Sequence, residues 1–202
     1  MTRRTLPTAL PAGLPDAGAQ QLPAQGHRRP AAPSASSREH GIRFFYDCEF
    51  IEDGTTIELV SIGVVDESGS REYYAISTGF DPDRAGPWVR RNVLDKLPSP
   101  ASPVWRPRSA IRDELLAFLT EDGAEPELWA WYGAYDHVAL CQLWGSMTAL
   151  PRVLPRFTRE LRQRWDDVGR PRLPDSPPDA HDALADARHN LARWRAMTPG
   201  GR

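Results

Sequence analysis

Hydrophobic and polar residues follow two different periodicities along this chain, and together they predict an α/β fold. Runs of β-branched and aromatic residues over 42–48, 56–66 and 72–77 predict three strands. The short turns between these runs favour an antiparallel meander. Further along, apolar residues at helical spacing alternate with strand-like runs. Three antiparallel strands followed by βα units imply a mixed sheet flanked by helices.

The second part of the chain predicts alternating helices and strands. Helices are expected over residues 87–96, 107–120, 135–144, a segment ending at 165, and 182–197. Strands are expected over 127–132 and 153–158. The proline-rich stretch 170–178 is predicted to be a loop before the last helix.

The first forty residues have the composition of a disordered tail. They contain six prolines and no aromatic residue, so they cannot bury enough apolar surface to offset the entropy of ordering. Pro7 and Pro11 interrupt the apolar residues near the start, which argues against a signal peptide. No stretch has the length of a membrane span. We therefore expect one domain over 41–198, with tails over 1–40 and 199–202.

Charge and cysteine content narrow the class of protein. The chain has 25 basic and 27 acidic residues, so its overall field does not attract nucleic acid. Any polyanion would have to be bound by local patches or by metal ions. Cys48 and Cys141 are too few for a disulfide scaffold and lack metal-ligand spacing. Reduced thiols in a cytoplasmic protein are the simplest interpretation.

Five polar residues in three separate segments suggest a catalytic site. Asp47 and Glu49 are two apart on the first predicted strand, so both point to one face. Asp136 follows a strand-to-helix turn, and His181 and Asp186 lie at the start of the last helix. Four carboxylates and one imidazole suit two hard divalent cations and a general base. Paired cations cleave phosphodiesters in line, so the pattern indicates a nuclease.

Each motif also has a plainer interpretation. Asp136 alone is better explained as a residue that stabilises a helix dipole, and the alternative for His181 is a loop histidine hydrogen-bonded to the backbone. Three other histidines compete as candidate bases, namely His40, His137 and His189. Single acidic motifs match by chance often, but their order and placement here favour one site.

The three motifs resemble those of the DEDDh 3′-to-5′ exonucleases: Asp-x-Glu on the first strand, a central Asp, and His-x4-Asp on the last helix. Residues 45–54, 57–65 and 131–145 are similar to the polyadenylate-specific branch called RNase AS. The similarity extends over nearly all of 41–197. One departure from the wider superfamily is Tyr132-Gly133, where most members have His-Asn.

This resemblance implies a ribonuclease H-like fold and a two-metal mechanism. Asp47, Glu49 and Asp186 resemble the ligands of the first metal, Asp47 also bridges to the second, and Asp136 assists. Oxygen ligands favour two Mg²⁺ ions, with Mn²⁺ as the alternative. His181 resembles the base that deprotonates the attacking water. The expected product is a nucleoside 5′-monophosphate released from an RNA 3′ end, and the expected assembly is a homodimer.

Base recognition is expected next to the Asp-x-Glu motif. In DEDDh enzymes the residues after this motif contact the terminal nucleotide, so Glu49, Phe50, Ile51 and Glu52 are candidate substrate contacts. An apolar wedge can stack on a base, and Glu52 can accept from the adenine amine. Phe50 and Ile51 equally suit a core position at the end of the first strand.

The sequence leaves three functional hypotheses open. The first is an exoribonuclease acting on RNA 3′ ends, with a preference for poly(A). The second is a DNA proofreading or repair exonuclease with the same metal chemistry. The third is a non-catalytic nucleic-acid-binding module. The segment 152–172 holds seven arginines against three acidic residues, which fits either an RNA path or a solvated helix face.

Overall fold

The aromatic run that begins at Ile42 forms the central strand of a six-stranded sheet in the computed structural model, which describes residues 41–123 and 125–198. The predicted tails lie outside the described residues. The strands are β1 (Ile42–Glu52), β2 (Ile57–Asp66), β3 (Glu72–Ser77), β4 (Trp105–Arg106), β5 (Pro126–Ala130) and β6 (Arg159–Glu160). The α-helices are α1 (Pro87–Asn92), α2 (Arg108–Thr120), α3 (Ala134–Cys141), α4 (Leu161–Asp167) and α5 (Ala183–Ala196).

The sheet has the order β4-β3-β2-β1-β5-β6. Strands β1, β2 and β3 pair antiparallel, whereas β5 pairs parallel to β1 and β6 parallel to β5. The meander followed by parallel βα units confirms the predicted mixed sheet. With β2 running against its neighbours, this is the ribonuclease H-like arrangement that the resemblance implies. No α-helix among the described residues is long and apolar enough to cross a membrane.

The central strand β1 is covered by helices on both faces. Phe44 and Tyr46 point to one face and pack with residues of α2 and α3. Phe45 points to the other face and meets Trp194 of α5, with ring centroids 5.6 Å apart. Because side chains alternate along a strand, the face of Phe45 also carries Asp47 and Glu49. The acidic pair therefore lies on the face covered by α5.

Several predicted boundaries differ from the structure. The strand predicted over 153–158 is wrong, because a turn forms there and Leu154 N–H donates to the Pro151 carbonyl. Pro155 has no N–H to offer a ladder, so pairing begins only at Arg159. The helix predicted over 87–96 is α1 followed by a 3-10 turn at Leu94–Lys96.

Candidate active site

The floor of the site is the acidic pair on β1, and a glycine on β2 makes room above it. Gly63 lies opposite Asp47 in the β1–β2 ladder. A Cβ atom at Gly63 would lie 2.3 Å from the carbonyl oxygen of Ala183, which is closer than any real contact. Only glycine lets the first turn of α5 rest on the sheet at this point. The close approach brings Asp186 on α5 towards the β1 carboxylates.

Asp136 comes from α3, on the other side of β1, and a hydrogen bond to the strand backbone holds it beside the acidic pair. It lies in the first turn of α3, and its Oδ1 accepts the N–H of Cys48 at 2.7 Å. Cys48 stands between Asp47 and Glu49, so this bond fixes the third carboxylate beside the first two. The side chain of Asp136 is buried. Its orientation is set by this hydrogen bond as well as by the helix dipole.

A glutamate that the sequence did not single out holds the turn before α3. The carboxylate of Glu160 accepts the N–H groups of Tyr132 and Gly133, both at 2.9 Å. Tyr132 has φ of 58°, a left-handed conformation that is unfavourable for a tyrosine. The two charge-assisted hydrogen bonds stabilise this conformation. They thereby position Asp136, which lies three residues after Gly133. Glu160 also caps α4 by accepting the Arg162 N–H, which is the only role that sequence capping rules suggest.

The start of α5 brings the histidine to the carboxylates. Asp182 caps the helix by accepting the N–H groups of Leu184 and Ala185. The backbone N–H of His181 donates to Asp186 Oδ2 at 2.8 Å, and His181 has φ of 68°. Ligand atoms of Glu49, His181 and Asp186 all lie within 4.8 Å of one another. This group could hold a metal ion.

Burial and mutual repulsion raise the pKa values of three carboxyl groups in the site. Burial, followed by the charges of Asp136, Glu49 and Asp186, raises the pKa of Asp47 well above its usual value. Burial and the neighbouring carboxylates raise the pKa of Glu49 to about 8. Burial raises the pKa of Asp136 to about 7, although the Cys48 N–H opposes the shift. Crowded carboxylates of this kind gain most from a divalent cation, so the donor set fits Mg²⁺ or Mn²⁺.

These residues line an open cleft of about 470 Å³ that also contains one arginine. The Arg193 guanidinium lies 4.4 Å from the ring centroid of Trp131 and donates to Asn190 at 2.9 Å. Asn190 in turn donates to the Tyr46 carbonyl. Burial lowers the pKa of Arg193, while Asp186 and Asp47 oppose that shift. The hydrophobic periodicity of α5 predicts that the helix face carrying Arg193 points into the protein. It does not show that the Arg193 guanidinium reaches the cleft.

The predicted base-recognition residues do not lie together. Phe50 lines the cleft and stacks on Tyr135, with ring centroids 5.9 Å apart. Ile51 is 1% exposed and packs in the core with Val60 and residues near α1, so the structure does not bring it to the cleft. Glu52 is exposed, outside the cleft lining, and its carboxylate accepts the Gly54 N–H at 2.5 Å.

The competing histidines have other surroundings. His137 contacts Thr158 Oγ1 at 3.1 Å and Cys141 Sγ at 3.4 Å on the α2–α3 side of β1. His189 is buried in α5. His40 lies outside the described residues. Among the histidines that the structure describes, His181 is the one that lines the cleft.

Several arginines of the segment 152–172 bond to neighbouring groups of the protein itself. Arg156 donates to the carbonyl groups of Met147 and Leu150. Arg162 and Arg170 both pair with Asp166. These contacts favour the structural interpretation of these three arginines over a role in guiding RNA.

Comparisons with known proteins bear on the function of this cleft. The family model for the 3′-5′ exoribonuclease Rv2179c-like domain matches residues 42–198. The chain belongs to this family. It is 67% identical over 158 residues to the 3′-5′ exoribonuclease Rv2179c of Mycobacterium tuberculosis H37Rv, a match that covers 78% of this chain and 94% of the relative. The same figures hold for the 3′-5′ exoribonuclease MT2234.1 of strain CDC 1551.

Family membership decides between the three functional hypotheses. The protein is a 3′-5′ exoribonuclease, and the DNA exonuclease and the non-catalytic module are set aside. The structure of S. pombe Pop2p in its Mg²⁺- and Mn²⁺-bound form also aligns, with a TM-score of 0.47 and 11% identity over 76% of this chain and 81% of Pop2p. The fold assignment rests on the strand order and directions described above.

Proposed function

We propose that the carboxylate cleft is the active site, and that it releases nucleoside 5′-monophosphates from RNA 3′ ends with a preference for poly(A). The observation that carries this proposal is the convergence of Glu49, His181 and Asp186 from two distant segments, with ligand atoms within 4.8 Å. Asp47 lies on the same face of β1 as Glu49. Asp136 accepts a hydrogen bond from the Cys48 N–H, which lies between Asp47 and Glu49. Such a cluster of crowded carboxylates is costly unless it binds cations.

In this proposal Asp47, Glu49, Asp136 and Asp186 hold two Mg²⁺ ions, with Mn²⁺ as the alternative. The bound pair supplies positive charge that stabilises the attacking and leaving oxygens of the scissile phosphate. Glu160 and the Cys48 N–H keep Asp136 in position.

His181 is the proposed general base. Its backbone is fixed by the bond to Asp186 Oδ2, so its ring is presented to the cleft from a rigid helix start. An imidazole there accepts a proton from the attacking water and returns it to solvent. A second role is supported by the proximity of His181 to Glu49 and Asp186, since the three could hold one ion. The two roles differ in a measurable way, because loss of a ligand weakens metal binding and loss of a base does not.

The preference for adenine rests on the resemblance to the polyadenylate-specific branch and on stacking. Phe50 and Tyr135 form a parallel pair at the cleft, with an interplanar angle of 16°. Tyr132, 65% exposed, adds another aromatic surface to the lining. Stacking of a base on an aromatic side chain contributes about 1–3 kcal/mol, and its strength differs between bases. Phe50 is therefore a better supported base contact than Ile51 or Glu52.

The test is degradation of 5′-labelled oligonucleotides of equal length made of riboadenylate, ribouridylate or deoxyadenylate. We expect a ladder shortening from the 3′ end, AMP as product, and faster cleavage of riboadenylate than of ribouridylate. A chelator should stop the reaction, and a 3′-phosphate should slow it because the terminal hydroxyl cannot seat. Equal rates on adenylate and uridylate would reject the preference, and early internal fragments would reject the exonucleolytic direction.

Two further parts of the proposal concern the state of the protein. A homodimer is proposed by resemblance, and sedimentation equilibrium would test it. A cytoplasmic location is proposed because Cys48 and Cys141 are free thiols buried in the fold, as expected for a reducing compartment. Localisation of a tagged full-length chain would test this part.

A further inference from the structure

Lys96 is the only lysine among the 202 residues, since every other basic residue apart from histidine is an arginine. It ends the 3-10 turn Leu94–Lys96, just after α1. Its side chain crosses to the loop that precedes α5, where Nζ donates to the carbonyl oxygen of Ala180 at 2.8 Å. Ala180 is the residue immediately before His181. The single lysine thus anchors the backbone that presents the proposed base.

A second contact from the same segment reaches the next residue of the loop. The ring of Trp88 on α1 meets the ring of His181 edge to face, with centroids 4.8 Å apart and an interplanar angle of 82°. Residues 87–96 therefore contact two consecutive residues of the loop. His181 is in the left-handed region, a conformation that persists only where the surroundings hold it. These two contacts and the bond to Asp186 help to hold it, together with the bond from the Asp182 N–H to the Asp179 carbonyl.

We propose that Lys96 is a positioning residue for hydrolysis, which fixes the 177–181 loop so that His181 meets the attacking water. This proposal rests on the proposed function of His181 in the cleft. It concerns the segment around α1, which carries none of the three acidic motifs. Lys96 itself lies outside the lining of the cleft, so its effect is expected on turnover and not on RNA binding.

Substitution separates the positioning role from general damage to the protein. Lys96→Met removes the donor and the charge but keeps the length of the side chain, and Lys96→Arg keeps both. Arg91→Met is the matched control, because Arg91 is an exposed residue of α1. We expect Lys96→Met to lower kcat by about tenfold with KM within about twofold, because small displacements of a catalytic group cost rate. Lys96→Arg should recover most of the loss, and Arg91→Met should match the wild type.

The outcomes distinguish this proposal from the proposed function. A wild-type kcat for Lys96→Met overturns the role of Lys96, provided that Asp47→Asn is inactive in the same assay. An active Asp47→Asn protein overturns the proposed site itself. A loss in Lys96→Met that Lys96→Arg does not restore, or an equal loss in Arg91→Met, also overturns the positioning role.

Chemical modification gives an independent test, because Lys96 and the terminal amine are the only primary amines of the chain. Acetylation with an N-hydroxysuccinimide ester removes the charge that strengthens the hydrogen bond from Lys96 to Ala180, whereas reductive methylation retains the charge and one N–H donor. We expect acetylated wild type to lose about tenfold in kcat, and methylated wild type or acetylated Lys96→Arg to keep its activity. An equal loss in acetylated Lys96→Arg would assign the effect to the terminal amine and overturn the proposal.

Discussion

Replacement of Glu49 by glutamine should change how the stability of the metal-free protein depends on pH. Burial and neighbouring carboxylates raise the pKa of Glu49 from 4.5 to about 8. A carboxyl group whose folded pKa is raised stabilises the fold fully below its unfolded pKa, and this contribution is lost as pH rises towards 8. Each pH unit in this window costs about 1.4 kcal/mol, so Glu49 alone should cost wild type about 3 kcal/mol between about pH 5.5 and 8.5.

The assay is urea unfolding in the presence of EDTA at several pH values. Glu49→Gln should lose clearly less stability than wild type over the same range, since an amide does not ionise. Glu121→Gln is the matched control, because Glu121 is exposed and pairs only at the surface with Arg71. Added Mg²⁺ should stabilise wild type most at the higher pH, where the carboxylates are free to bind. Parallel pH profiles for wild type and Glu49→Gln would refute the reasoning.

Four further substitutions test separate parts of the site. Glu160→Gln keeps the shape but accepts fewer N–H groups, so kcat should fall about tenfold while the fold survives; an unchanged kcat would remove its positioning role. His181→Ala should lower kcat by ~10²–10⁴-fold with Mg²⁺ affinity retained, whereas weakened Mg²⁺ binding in calorimetry would make it a ligand. His137→Ala should cost far less, and a larger loss there would reject His181 as the base. Glu52→Ala should narrow the rate difference between poly(A) and poly(U) about tenfold if Glu52 accepts from adenine, and equal slowing of both would reject that contact.

The parts of the fold and site that follow local patterns were predictable from the sequence. The alternation of β1 correctly places Asp47 and Glu49 on one face, because side-chain direction along a strand has a fixed period. The cap at Asp182 marks the start of α5, and Asp186 then lies in its first turn. The meander β1–β2–β3 follows from short turns between strand-like runs.

The parts that depend on contacts between distant segments were not predictable. Glu160 bonds to backbone N–H groups 27 and 28 residues away, and no sequence pattern marks such a pair. Lys96 reaches Ala180 over 84 residues. Arg193 lies on an inward face whose periodicity predicts burial but not a cleft. Ile51 shares its face with Glu49, yet α1 covers it, which depends on where α1 packs.

The most direct test of the central claim is the rate at which Asp47→Asn releases AMP from riboadenylate under single-turnover conditions in Mg²⁺. An amide has no negative charge to offer a divalent ion, so the rate should fall by ~10³-fold or more. Circular dichroism should show that the fold is retained, since the change relieves carboxylate repulsion on β1. Release of AMP by Asp47→Asn at close to the wild-type rate would contradict the assignment of the cleft as the active site.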